Sequence, residues 1–330
     1  MKVFKRITLA LSTGYVFFFF SERMFWSMWR PNDMLTDNIV TWLAYSALAY
    51  IVLIVIKQFN ARNMWALFVV GALYGWIGEG VVAMTVFGVG GMPFPWTVSF
   101  TALAWHAPIT VVAGWYLMRV WMEERQYKKL LMLVVSFGIF WGVWSMALPL
   151  ETPPIMPSTF EFALHAFSIT ILLIISHGLF SWADPSSFSA GRFEKIILAV
   201  MVVLFALFIT IPAVQYAAAV LPILFGSVYI ILRKNRSVET GSDALSVMGK
   251  PVGVWNSLIL LLMPLCATLV YAATVGNGII FPTNFIVFAI TMPLGFILFG
   301  VAAWKIFHYD IIKGIEPQDK ALDPTYSVSP

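Results

Sequence analysis

The chain has 330 residues, of which 60% are hydrophobic and 11% are charged, and its net charge is +4 at pH 7. An average soluble domain carries about 25% charged residues, so this composition excludes a soluble globular protein and predicts an all-α, polytopic integral membrane protein. The single cysteine, Cys266, excludes an intrachain disulfide and any cage of several cysteines around zinc or an iron–sulfur cluster. The basic residues lie in short loops beside apolar runs, where they contact anionic lipid, so no nucleic-acid partner is expected.

Ten apolar runs approach the length of about 20 residues that a helix needs to cross a bilayer. Residues 1–306 are therefore expected to form a single transmembrane domain, followed by a polar cytoplasmic tail at residues 307–330. The N-terminus has the outline of a signal peptide without a small-residue cleavage site, which predicts an uncleaved first helix. The predicted helices are residues 7–28, 39–57, 64–85, 97–119, 130–150, 160–181, 195–212, 214–232, 252–274 and 281–306.

The distribution of basic residues predicts the orientation of these helices. All but two of the 20 Lys and Arg residues fall at the chain ends and in alternate connections, the exceptions being Arg23 and Arg30. By the positive-inside rule, both termini are then cytoplasmic. The expected location is a cell membrane crossed many times, and the short loops favour a prokaryotic plasma membrane.

Proline and polar loops mark possible breaks in the bundle. Residues 233–250 form the longest cytoplasmic connection and are expected to be a flexible linker. Broken helices at mid-depth are typical of transporters, although proline is also commoner in membrane helices in general. The prolines near the middle of predicted helices, each of which favours a kink, are Pro108, Pro222, Pro264 and Pro293.

Ionisable side chains within a bilayer are costly, so they are candidates for function. Glu79 lies in helix 3, roughly 22 Å above the cytoplasmic end of a ~30 Å apolar core. His106 lies in helix 4, roughly 14 Å below the outer surface. Small residues around Glu79 permit close helix approach, so its side chain should face protein; these are Gly71, Gly75, Gly78 and Gly80.

Three further residues lie near the outer surface. Glu161 and His165 are four residues apart and share one face of helix 6, with His165 about 8 Å deep. By contrast, helices 7–10, residues 195–306, have no ionisable residue in their central stretches. We therefore expect an outward-facing polar site within helices 1–6, residues 1–181, formed by Glu22, Glu79, His106, Glu161 and His165.

Several chemistries suit such a site. A Glu and a His at different depths could exchange protons and couple them to a substrate. A divalent metal that activates water could be held by Glu79, His106 and His165, and two histidines could ligate haem. Structural roles are the remaining alternative, with Glu22 paired to an arginine and the histidines bonded to backbone. The sequence identifies no particular cofactor.

A secondary transporter or permease for a small substrate is the first expectation, with Glu79 and His106 as substrate-binding or proton-coupling groups. The second is an intramembrane enzyme, metal-dependent or using Glu and His as acid and base, acting on a lipid or lipid-linked substrate at the outer leaflet. The third is a structural subunit of a membrane complex. The chain is similar in outline to the drug/metabolite transporter superfamily, but it has neither that family's motifs nor a visible five-plus-five repeat, so no family is assigned. The lipid bilayer is the one partner identified.

Overall fold

The computed structural model describes residues 2–26, 28–30, 33–238 and 241–308. Within these ranges the chain is helical and contains no strand beyond one isolated bridge between Val89 and Met92. Nine stretches of the described chain are long and apolar enough to cross a membrane. This agrees with the prediction of an all-α, polytopic membrane protein.

The first six helices follow the predicted order closely. The prediction for the tail at 307–330 lies outside the described residues from residue 309 onward. Arg119, expected at the cytoplasmic end of the fourth helix, is followed by one further helical turn that ends at Glu123. The helices are α1 Val3–Trp26, α2 Leu35–Phe59, α3 Met64–Val82, α4 Trp96–Glu123, α5 Tyr127–Leu150 and α6 Thr159–Ala183, and the last two of the chain are α9 Val254–Asn277 and α10 Thr283–Phe307.

One helical stretch, Arg192–Ser237, has 46 residues and is too long for a single crossing. It divides at residues 215–219, where Gln215 has a φ of 53° that interrupts the regular helix. We call the two parts α7 (residues 192–214) and α8 (Val220–Val238).

Both ends of this stretch lie at the same end of the bundle. At the start of α7, Glu194 forms an ion pair of 2.8 Å with Arg6 at the start of α1. Near the end of α8, the side-chain amide of Asn235 donates to the carbonyls of Phe59 and Asn60, where α2 ends. Because α1 and α2 are antiparallel neighbours, the start of α1 and the end of α2 are adjacent. The stretch therefore reverses its direction between α7 and α8.

Local sequence signals explain where several helices begin and end. Asn63 caps α3, since its side-chain oxygen accepts from two amides of the first turn. Ser158 and Glu161 form a reciprocal capping box at the start of α6. Asn60 adopts the left-handed conformation that commonly ends a helix, with a φ of 49°.

The core lies among the early helices. In the most apolar 18-residue part of α3, 72% of the residues are buried inside the protein. The corresponding share is 6% in Arg192–Ser237 and 11% in α10. The hydroxyl of Tyr15 donates to the carbonyl of Ile169 at 3.0 Å and links α1 to α6. The rings of Phe162 and Tyr271 stack at 4.3 Å between α6 and α9. Helices α7, α8 and α10 are therefore peripheral.

The connection between α8 and α9 differs from the expected flexible linker. Its described part contains a short helix, Ala244–Val247, which packs beneath the connection between α2 and α3. The ammonium of Lys57 lies 2.9 Å from the carboxylate of Asp243. The backbone amide of the following residue, Ala244, donates to the carbonyl of Ala61. Leu245 is fully buried, so apolar contact adds to these polar ones. The polar residues of this segment predict a flexible linker, but the buried side chain of Leu245 anchors it to the bundle.

Candidate functional site

Glu79, which is half-buried, and His106, which is buried, form a pair between α3 and α4. Oε1 of Glu79 lies 2.8 Å from Nε2 of His106, and only 4% of His106 is exposed. The hydroxyl of Thr85 donates to the other carboxylate oxygen of Glu79. The structure thus brings together two of the residues that the sequence singled out on separate helices.

Ser21 connects His106 to two further hydroxyl groups. Its Oγ lies 3.1 Å from Nδ1 of His106, 2.9 Å from the hydroxyl of Tyr74 and 3.1 Å from that of Thr110. A hydroxyl both donates and accepts, so Ser21 can donate to a neutral imidazole or accept from a protonated one. A continuous chain of exchangeable protons therefore runs from the carboxylate through the imidazole to the hydroxyls. We call these residues the polar cluster: Ser21, Tyr74, Glu79, Thr85, His106 and Thr110.

Most of the polar cluster lies on helical turns that are wider than an α-helix. Three π-helical segments carry it, namely Phe19–Arg23 in α1, Ile77–Val82 in α3 and Ala102–Leu117 in α4. The amide of His106, for example, donates to the carbonyl of Thr101, five residues earlier, at 2.7 Å. Turns of this kind are rare and are often found at functional sites.

A fourth π-helical segment of the described chain, Ala206–Thr210 in α7, reaches the same region. The hydroxyl of Thr210 donates to the carbonyl of Val81 at 2.7 Å, within the widened turn of α3. Pro108 lies inside the widened segment of α4 and has no amide to donate. Irregular turns on four helices therefore meet around Glu79, and hydroxyl groups bond to backbone that these turns expose.

Two glycines bring α3 and α4 close enough for the pair to form. A β-carbon added at Gly75 would lie 2.6 Å from the Cα of Ala102, and one at Gly71 would lie 2.7 Å from the Cα of Ala107. Only glycine fits at such a backbone-to-backbone crossing. Glu79 follows Gly75 by one turn, so the close approach carries its carboxylate to the imidazole on α4.

Glu22 lies beside the polar cluster and bonds to different partners. Its Oε1 accepts from the hydroxyl of Tyr45 at 2.8 Å, and its Oε2 accepts from the indole of Trp26 at 2.9 Å. The ring of Tyr45 lies 6.3 Å from that of Tyr74, which belongs to the cluster. Neutral donors thus hold this second carboxylate close to the Glu79–His106 pair.

His165 is buried with a different group of residues. Its Nε2 donates to the carbonyl of Arg23 at 3.1 Å, and the ring of Trp29 lies edge-on to it at 5.5 Å. Backbone bonding was the structural alternative considered for this histidine. The structure does not place it among the partners of Glu79.

Glu161 lies apart from the other candidates, on the exposed side of the first turn of α6. Its carboxylate accepts from the amide of Ser158 at 2.7 Å, while its own amide donates to the Ser158 hydroxyl at 3.2 Å. These bonds satisfy amides that the start of a helix leaves unpaired. Sharing a helix face with His165 was therefore not enough to bring Glu161 to the site.

The arrangement bears on metal binding as well. Among the residues that the structure describes, no three His, Cys, Asp or Glu side chains are grouped so as to hold a metal ion. Of the proposed ligands, Glu79 and His106 lie together, whereas His165 is bonded to a carbonyl. The two histidines of the expected site, His106 and His165, likewise have separate partners, which does not suit haem ligation. The pair is thus best suited to exchanging a proton between a carboxylate and an imidazole.

A second buried ion pair lies at the opposite end of α4. Arg119 is fully buried, and its Nε lies 2.5 Å from Oε1 of Glu123. Its other nitrogens donate to the carbonyls of His177 and Lys250 and to the hydroxyl of Ser181. Every nitrogen of this guanidinium is bonded, so the group links α4 to α6 and to the connection before α9.

Sequence reasoning missed the neutral members of the polar cluster. Ser21, Tyr74 and Thr110 carry no charge, and a hydroxyl inside a helix commonly bonds to its own backbone, so nothing in the sequence marks them. The aromatic run that ends at Phe20 concealed Ser21 in particular.

No protein-family model matches the chain, and neither a curated protein nor a solved structure is significantly similar to it.

Proposed function

We propose that this protein is a secondary transporter or permease in which Glu79 and His106 exchange protons and couple them to the movement of a small substrate. The observation that carries the proposal is the contact of 2.8 Å between the carboxylate and the imidazole, buried where widened helical turns meet. Histidine is the side chain that ordinarily changes charge near neutral pH. In a bilayer, an ionisable pair of this kind is characteristic of proton relays.

We further propose ten crossings, with both termini in the cytoplasm of a cell, most simply a prokaryotic one with this protein in its plasma membrane. The reversal between α7 and α8 supports counting Arg192–Ser237 as two crossings. With ten crossings, all but two of the 20 Lys and Arg residues fall on the cytoplasmic side. In that orientation the polar cluster lies in the outer half of the bilayer and is reached from outside.

The test is a proton-flux assay in proteoliposomes that enclose a pH-sensitive dye. Membrane-impermeant solutes of different charge, namely gluconate, glutamate, glucose and choline, are added outside in turn. We expect at least one solute to change the internal pH, and we expect Glu79→Gln and His106→Gln to abolish that change. Glu124→Gln, a matched change at an exposed position in the connection after α4, should retain it. If Glu79→Gln shows a change of internal pH as large as that of the wild type, the coupling role of Glu79 is overturned.

A second function is favoured by the order of atoms within the polar cluster. Ser21 Oγ, the His106 ring and the Glu79 carboxylate lie in series, with spacings of 3.1 and 2.8 Å. In an intramembrane hydrolase acting on a lipid ester, the Ser21 oxygen would attack the acyl carbon while His106 takes the hydroxyl proton. Glu79 would stabilise the resulting imidazolium, which gives its proton to the alcohol as that alcohol leaves the acyl carbon. Water, activated by His106, would then hydrolyse the acyl-serine, release the fatty acid and restore the Ser21 hydroxyl.

Labelling with a fluorophosphonate distinguishes the two functions. A hydrolase predicts covalent modification of Ser21 that is lost in both Ser21→Ala and His106→Gln. A transporter predicts no modification of Ser21, because three hydrogen bonds engage its half-buried hydroxyl. Mass spectrometry of the peptide that contains Ser21 gives the readout.

A further inference from the structure

Arg23, near the end of α1, has a pair of hydrogen-bond donors with no partner. Only 1% of the residue is exposed, and its Nη1 donates to Oδ1 of Asn38 at 2.9 Å. Asp33 is the nearest acid, with an oxygen 3.8 Å from the same nitrogen. The other two nitrogens, Nε and Nη2, are buried without a hydrogen-bond partner. Buried donors are nearly always paired in proteins, so this pair requires an explanation.

The two unpartnered nitrogens lie on one edge of the guanidinium. The N–H of Nε and one N–H of Nη2 point in parallel, and their spacing matches that of two oxygens on one carbon or phosphorus. This is the fork through which arginine binds oxyanions in a bidentate manner. By contrast, every nitrogen of the equally buried Arg119 is bonded to protein. Among the buried side-chain atoms without a hydrogen-bond partner in the described residues, Arg23 is the arginine that contributes both nitrogens of this edge.

The surroundings hold the fork in a fixed plane. The Cζ of Arg23 lies 4.2 Å from the ring centre of Trp29 and 4.8 Å from that of Trp26. Such contacts orient a guanidinium through cation–π attraction. His165 also fixes the backbone of Arg23 through its carbonyl, and Nδ1 of this histidine is a further buried atom with no partner. Trp29 is 44% exposed and its ring lies over the guanidinium, so turning this ring aside would open a path to the fork.

The nearby charges select the kind of oxyanion. Asp33 already lies beside Nη1, and Glu22 precedes Arg23 in the chain. The other nearby cation, Arg30, is itself paired with Glu151 at 3.2 Å. A dianion such as phosphate would meet these carboxylates with only one guanidinium edge to offset its charge. A carboxylate brings a single negative charge, and its two oxygens match the fork.

We propose that the free edge of Arg23 binds the carboxylate of a small substrate that enters where α1 ends and α6 begins. The proposal names the substrate class of the transporter, and it rests on the proposed function only in taking the bound ligand to be the one transported. Binding can be measured without a gradient, so its failure is distinct from a failure of proton coupling.

The experiment uses full-length protein in nanodiscs of phosphatidylcholine. Acetate and cyclohexanecarboxylate are titrated at constant ionic strength against chloride, with cyclohexanemethanol as the neutral analogue, and the melting temperature is recorded. A ligand that binds the folded state raises the melting temperature in a saturable manner. We expect the carboxylates to do so and the alcohol not to.

Variants locate the effect. Arg23→Lys keeps the charge but removes the fork, and we expect it to weaken carboxylate binding at least tenfold. The matched change Arg30→Lys, at a cation paired with Glu151, should leave the affinity unchanged. Should Arg23→Lys fail to fold, tryptophan fluorescence gives a second measurement of binding. We expect carboxylates to quench this fluorescence in the wild type, and we expect the quenching to be smaller in Trp29→Phe, which lacks the ring beside the fork.

Several results would overturn the proposal. If neither carboxylate stabilises the protein more than chloride does, the fork holds water only. Equal affinity in Arg23→Lys, or quenching that persists unchanged in Trp29→Phe, places the binding elsewhere. Tighter binding of inorganic phosphate, or loss of carboxylate binding when phosphatidylglycerol is added to the nanodiscs, assigns the fork to a phosphate or to a lipid phosphodiester instead.

Discussion

Ser21 is the most connected member of the polar cluster, although it is small and uncharged. Its hydroxyl is shared among His106, Tyr74 and Thr110, each within 3.1 Å. We predict that Ser21→Ala lowers the free energy of unfolding by about 2 kcal/mol, because buried polar groups lose a partner that nothing replaces. Denaturant unfolding in micelles, followed by circular dichroism, measures the change.

Ser168→Ala is the matched control for this prediction. The hydroxyl of Ser168 is bonded only within its own helix, to the carbonyl of Leu164, on the half-buried surface of α6. We expect its loss to change the free energy of unfolding by less than about 0.5 kcal/mol, as at most surface positions. Equal losses in the two variants would show that Ser21 links nothing of importance.

At this scale the sequence predicted the ionisable residues better than their partners. Glu79 and His106 could be singled out because a charge within an apolar run is costly wherever it points. Glu161 could have been set aside from sequence, since Ser158 and Glu161 have the spacing of a capping box. The bonding of Ser21 could not be predicted, because it depends on how α1, α3 and α4 pack.

The crossing of α3 and α4 depends on glycines that have no room for a side chain. We predict that Gly75→Ala destabilises the protein by about 1–3 kcal/mol, because the added carbon would meet the backbone at Ala102 and force the helices apart. Since Glu79 lies one turn away, the same variant should also reduce proton flux. Thermal unfolding and the proteoliposome assay measure the two effects.

Gly178→Ala in α6 makes the same chemical change with open space around it, since nothing lies within 4 Å of the added carbon. We expect this variant to be neutral or more stable by up to about 1 kcal/mol, because alanine favours a helix over glycine. If Gly75→Ala behaves like Gly178→Ala, the close crossing is not what brings Glu79 and His106 together.

The widened turns could not be predicted from sequence. Apart from His106 and Thr110, Ala102–Leu117 is almost entirely apolar, so a helix with hydrogen bonds five residues apart leaves no distinct pattern in it. Pro108 did indicate an irregularity in α4. The segments Phe19–Arg23 and Ile77–Val82 contain no proline, and tertiary packing determines their form. The most informative feature of the site is thus visible only in three dimensions.

For the whole molecule, the reversal between α7 and α8 gives a direct test of the proposed topology. Cys266→Ser provides a background without cysteine, and single cysteines then replace Ser189, Tyr216 and Ser237 in turn. We predict that a membrane-impermeant maleimide labels Tyr216→Cys on intact cells, and that it labels Ser189→Cys and Ser237→Cys only after the membrane is opened. Tyr216 is 90% exposed at the reversal, so access does not limit its labelling.

Labelling of Ser189→Cys and Ser237→Cys from opposite sides would mean that Arg192–Ser237 crosses once, which would contradict ten crossings. Labelling of both from outside would reverse the proposed orientation. Composition and hydropathy predicted an all-helical membrane protein, because each helix must satisfy its own backbone in lipid. The described chain has nine apolar stretches long enough to cross a membrane, so ten crossings stay a prediction. Composition and hydropathy did not predict the docked segment around Asp243, whose anchoring by Lys57 and by buried Leu245 depends on contacts distant in sequence.

The role of Glu79 is tested most directly by asking whether its carboxyl gains and loses a proton. Infrared difference spectra of the protein in nanodiscs are recorded between acidic and alkaline pH, for wild type, Glu79→Gln and His106→Gln. We predict a protonated-carboxyl band in wild type that is absent in Glu79→Gln and displaced in His106→Gln, because His106 is the hydrogen-bond partner of that carboxyl. A wild-type spectrum that is identical to that of Glu79→Gln at every pH would contradict proton exchange at this site.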